Sequence, residues 1–231
     1  MKRFFFLTTM VAFVATVPAS ATTKGLNQIV TPDVQPEGLL SLSLQQVHPQ
    51  IDNATQFQIE YGLTKRFELS YAHGFSPSQD RLGAEYALVQ KNPYLLSVGF
   101  LNFQGHSAAQ PFVEGGYYKG HDQFSAGLVR IQGHSEPILG YSHTFNPVVQ
   151  FSADYQQGRD NFATVGLTFN LTKSLVFNPA LYFTNSTPRH TYGYAVLTYN
   201  FDLKPNRNAS PEEPNGSGTA NQPASKPPSQ K

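Results

Sequence analysis

The chain has 231 residues, with 16 Lys and Arg against 15 Asp and Glu and no cysteine. So balanced a charge excludes a protein-wide nucleic-acid footprint, and the lack of cysteine excludes a disulfide framework, a thiolate metal site and a cysteine nucleophile. Charged residues make up 13% and aromatic residues another 13%, with a mean hydropathy of −0.34, values that suit a fold with an apolar outside and a polar inside.

Residues 1–21 read as an export signal: Lys2-Arg3 are basic, Phe4 to Val17 are largely apolar, and Ala19-Ser20-Ala21 form a cleavage site. Removing that stretch leaves 14 basic and 15 acidic residues, a net charge of −1. No later window approaches the roughly 18 apolar residues of a membrane helix. Residues 22–36 lack alternation, and Pro32 and Pro36 break any ladder, so they are expected to form an extended periplasmic lead-in.

Strict alternation of polar and apolar residues begins soon after. Gln56-Phe57-Gln58-Ile59-Glu60-Tyr61 and Phe67-Glu68-Leu69-Ser70-Tyr71 flank a short turn, and a period of two sends Phe, Ile, Leu and Tyr to one face and Gln, Glu and Ser to the other. From Glu37 to Leu203 twelve strands are expected, near 38–47, 55–62, 67–73, 81–89, 94–103, 110–118, 123–131, 137–145, 148–155, 161–171, 175–184 and 191–203. That allows about 14 residues for each strand and connection, against the roughly 9–11 of a membrane-crossing strand. The fold class is therefore all-β: a closed antiparallel transmembrane β-barrel of about 12 strands, with 10 as the alternative. A soluble β-sandwich is the competing architecture, but it needs only one shared core, whereas here nearly every strand has its own apolar face. Residues 204–231 are rich in Pro, Ser, Asn and Gly and read as a disordered tail.

The connections fall into two kinds. After the even strands they are brief and mostly basic, as in Thr64-Lys65-Arg66 and Thr172-Lys173; after the odd strands they are expected to be longer, including 48–54, 74–80, 104–109, 132–136, 156–160 and 185–190. Tyr and Phe cluster near both ends of the strands, where rings favour a membrane-water boundary.

Two stretches resemble known sequences. Ile59-Glu60-Tyr61-Gly62-Leu63-Thr64-Lys65-Arg66-Phe67-Glu68-Leu69 is similar to the G-L-T-x-R-x-E-L hairpin of bacterial outer-membrane barrels of porin-like and transporter-like families, and Pro36 to Leu40 is similar to the start of such barrels. The closing Tyr199-Asn200-Phe201 resembles the C-terminal signal read by the barrel assembly machinery, although Val196 stands where glycine is usual and a tail follows. The resemblance implies a Gram-negative outer-membrane location in contact with lipid, with short turns and both termini in the periplasm. It carries no catalytic residues.

Strand parity points Glu60, Glu68, Arg81, Glu85, Glu114 and Asp154 into the lumen. Five acids against one arginine give an acidic interior that favours cations, unless the charges pair and simply fill the barrel. His48, His73, His106, His134 and His190 fall at or beside the longer loops, where they could bind a divalent metal or respond to pH, but no pair has the spacing of a preformed site. Ser142-His143 is the one strand-borne Ser beside a His, and adjacent strand residues point oppositely. The expectation is a small passive pore for polar solutes or ions, without cofactor, metal or enzymatic activity. The alternatives are a plugged structural or surface-binding barrel and, third, a lipid-modifying enzyme.

Overall fold

The computed structural model describes residues 26–105 and 108–204; the expected signal, the tail beyond Lys204 and His106 lie outside them. Twelve strands follow in chain order: β1 (Leu39–Val47), β2 (Thr55–Thr64), β3 (Phe67–Phe75), β4 (Ser78–Lys91), β5 (Tyr94–Phe103), β6 (Gln110–Lys119), β7 (Asp122–Ile131), β8 (His134–Thr144), β9 (Val149–Gln156), β10 (Phe162–Asn170), β11 (Leu175–Thr184) and β12 (Thr191–Asp202). Each pairs antiparallel with its chain neighbours, and β1 pairs with β12 from Leu39↔Asp202 to Val47↔Tyr194, closing the barrel. Closure leaves no free sheet edge, which a small chain without disulfides would otherwise have to protect.

The wall is inverted relative to a soluble domain. Ser41, Glu114 and Thr198 are buried on its inner side, while Leu44, Leu69, Leu139, Leu167 and Leu197 are exposed on its outer side. The two-residue period produces both faces at once, because each strand alternates between them.

The start of β1 and the end of β12 meet at one rim, where Glu37 pairs with Lys204 at 2.5 Å. The short connections after β2, β4 and β6, each of two residues, share this turn rim. At the opposite, loop rim, the expected asymmetry holds only in part. The connections at 48–54 and 104–109 are long, but those expected at 74–80 and 132–136 shrink to Ser76-Pro77 and Gln132-Gly133, because the flanking strands continue to within two residues of each other. Gln132 (φ 48°) and Gly133 (φ 88°) both lie in the left-handed region, as a two-residue hairpin turn requires.

The lead-in is corrected as well. Residues 26–36 form no strand, as Pro32 and Pro36 dictate, but they run inside the barrel instead of outside its mouth: Asn27, Ile29, Val34 and Gln35 are all buried. Their apolar side chains find cover only there. A twelve-stranded barrel is wider than the eight-stranded kind that its own side chains fill, so it has room for a second layer of chain.

Candidate functional site: the lumen

Glu60, Glu68, Glu85, Glu114 and Asp154 are buried on the inner wall, and half-buried Arg81 pairs with Asp52 of the 48–54 loop. Burial raises the Asp52 carboxyl, but the Arg81 guanidinium, the Asn53 N–H and the Gln56 side chain together outweigh it and hold its pKa below the ordinary aspartate value. Among the described residues Arg81 is the one Lys or Arg that is not exposed.

The 26–36 segment runs from the turn rim towards the loop rim. Near its entrance the Gln35 N–H donates to Glu68 at 2.6 Å and the Gln35 amide donates to Ser41. Further along, Ile29 packs with Phe112, Val129 and Ile138. At the inner end of the segment the Asn27 and Gln28 N–H groups donate to Asp154 at 2.6 and 3.0 Å, the Asn27 amide reaches Thr164 at 3.0 Å, and the Tyr182 hydroxyl donates to the Asn27 carbonyl. Asp154 is thus a receptor for backbone, a role that sequence reasoning missed. The signal that could have found it was a set of inward-parity glycines, Gly62, Gly116, Gly140 and Gly166, at positions where a lumen without an occupant would carry side chains.

Beyond the segment a cavity of about 480 Å³ remains, lined by Gln45, Gln56, Gln58, Glu60, Arg81 and Tyr194 among others, with Asn27 and Ile29 contributing to its boundary. Its polar wall is internally bonded: the Gln45 amide donates to Gln58, whose own amide donates to Glu60 at 2.8 Å. Such a surface can offer amide and carboxylate groups to a hydrated solute.

Of the described loop histidines, two share one aromatic partner and two stand apart. His48 stacks on Tyr192 with ring centroids 4.5 Å apart, and His190 stacks on the same ring at 6.2 Å. His134 is exposed at the start of β8. His73 lies on the outer face of β3, its Nδ1 2.8 Å from the Asp80 carboxylate, which also accepts from the Tyr71 hydroxyl at 2.6 Å. Near the opposite rim His143 and Tyr141 hold Asp122 in the same way, at 2.8 and 2.7 Å. Among the described residues no group of three or more His, Cys, Asp or Glu could hold a metal ion. Ser142 is buried on the inner wall, with His143 on the outer side, so the two form no dyad.

Compared as a sequence, the chain matches no family model and no curated protein. Compared as a structure, it resembles the NanC porin at 10% identity and a TM-score of 0.50, the match covering 71% of this chain and 100% of that one. It also resembles the KdgM porin, solved in complex with disordered oligogalacturonate, at 12% identity and a TM-score of 0.52, covering 71% of this chain and 99% of that one. At such identities the likeness is one of architecture: this chain has the closed antiparallel β-barrel fold of bacterial porins.

Proposed function

We propose that this barrel spans the outer membrane of a Gram-negative envelope and lets small polar solutes pass, with a lumen that favours cations. The observation that carries the reading is the pairing of an exposed leucine-rich outer face with a polar interior cavity of about 480 Å³. Exposed apolar surface on this scale needs a lipid environment, and a cavity lined by amides and carboxylates suits hydrated solutes. The burial of five acidic side chains, Glu60, Glu68, Glu85, Glu114 and Asp154, on inward parity supports the cation preference through the summed field of the wall. The short turns Lys65-Arg66 and Gly120-His121, on the rim where β1 begins and β12 ends, support a periplasmic position for that rim. The Tyr199-Phe201 ending supports delivery by the barrel assembly machinery. Ser142 and His143, on opposite faces, give a lipid-modifying enzyme no support.

Planar-bilayer recording tests the passage. Single-channel steps with a reversal potential displaced towards cation permeation are the expected result, and Glu60→Gln should move that potential towards zero. A correctly folded barrel that never conducts would sink the reading, and anion selectivity would sink its cation part. A second reading, a plugged barrel that holds shape or binds partners without transport, is favoured by one observation, the residence of residues 26–36 inside.

A further inference from the structure

Resting on the passage proposed above, we infer that the inner wall is a binding groove for an extended peptide and that residues 26–36 are its resident occupant, seated so as to close the passage. Three independent features of the wall match this segment.

The first is shape. A methyl group built on Gly62 would overlap the Pro36 carbonyl, one on Gly116 would meet Pro32, one on Gly140 would overlap Leu26 and the neighbouring wall residue Ser125 and crowd Ile29, and one on Gly166 would overlap the Asn27 side chain. These glycines stand on β2, β6, β8 and β10, so the notch crosses several strands and follows the segment. The second is backbone recognition. Glu68 and Asp154 accept N–H groups of the segment at its two ends, and the Tyr182 hydroxyl donates to one of its carbonyls; this satisfies main-chain groups that burial would otherwise strand. The third is the apolar cluster of Phe112, Val129 and Ile138 around Ile29. A lumen shaped only for hydrated solutes has no use for an apolar patch on its inner wall, whereas an occupant with an isoleucine does.

Attachment and wall are also separable. Among the described residues, residues 26–36 form no strand of the sheet, and the polar groups of the wall that hold them are chiefly side chains. The segment can therefore leave the groove without breaking the barrel's ladder.

The cysteine-free chain permits a direct test. Asn27 Oδ1 lies 3.1 Å from Ser152 Oγ, so N27C/S152C should form a disulfide across the groove. In planar bilayers the oxidised protein is expected to be silent and the dithiothreitol-reduced protein to conduct. Adding G140V/G166V fills the notch: cross-link yield should collapse, and conductance should rise several-fold over the unsubstituted chain. Equal flux from oxidised and reduced N27C/S152C overturns the closing role. Undiminished cross-linking in the notch-filled barrel overturns the groove. Lost cross-linking with no conductance in any form upholds the groove and removes the passage instead. Heat-shifted gel mobility reports whether each variant is folded, and if G140V/G166V is not, the oxidised and reduced comparison decides alone.

Discussion

Asp154 accepts two main-chain donors of residues that belong to a different layer of the molecule, buried Asn27 and half-buried Gln28, so its removal leaves both N–H groups without their acceptor. An unsatisfied buried donor costs about 1–3 kcal/mol. Asp154→Ala is therefore expected to lower the urea midpoint in detergent micelles by an amount of that order, while Asp154→Asn, which keeps an acceptor oxygen, should recover much of it. Ile29→Ala should act through packing instead, at about 2–5 kcal/mol for a buried aliphatic truncation, because Ile29 sits among Phe112, Val129 and Ile138. Asp52 responds to pH. Its carboxyl is held below the ordinary aspartate value against the raising effect of burial, so the pair with Arg81 is fully present above the unfolded pKa, about 3.9, and is lost as pH falls through the lowered folded value. The stability difference between the unsubstituted protein and Asp52→Asn should stay constant near neutrality and shrink in acid; a difference that grows in acid would refute the assignment.

At the scale of elements, what was legible in the sequence depended on periodicity. All twelve strands announced themselves because alternation of Gln, Glu and Ser with Phe, Ile and Leu is itself the two-faced wall. Connections were less legible: Pro77 and Gly133 mark turns in a sequence, but not whether a turn is two residues or six. Gly133, at φ 88°, is where the short hairpin becomes expensive to alter. Gly133→Ala is expected to cost about 1–2 kcal/mol, whereas Gln132→Asn, which suits a left-handed position, should be nearly neutral. Thermal midpoints of the two variants in one detergent distinguish this from a general sensitivity of the loop. The lead-in was illegible for a different reason. Leu26, Ile29, Val30 and Val34 follow no strand period, because an occupant is matched to the notches of a wall assembled from separate strands, β2, β6, β8 and β10. Parity could assign a strand residue to a face; it could not name the partners that Glu68 and Asp154 hold, since those contacts join residues 33 and 126–127 positions apart.

For the molecule as a whole, the decisive property is that its outer face is rich in exposed leucine, and this makes a depth-dependent prediction. Leu167 lies near the middle of β10 on the outer face, and Tyr94 begins β5 at the turn rim, 62% exposed. In a barrel that spans a bilayer, arginine at the midplane costs about 2–4 kcal/mol and near an interface about 0–1. Leu167→Arg should therefore weaken folding into lipid vesicles strongly, and Tyr94→Arg only slightly, apart from what the loss of its ring contact with Tyr117 removes. In water the order would not hold, because both positions are solvent-facing there and surface substitutions of either kind stay within a fraction of a kcal/mol. Refolding yields of the two variants into vesicles, compared at matched lipid-to-protein ratios, thus read the protein's solvent directly. Equal yields would mean that the apolar face meets something other than a bilayer, and the passage proposed for the interior would lose the membrane it is meant to cross.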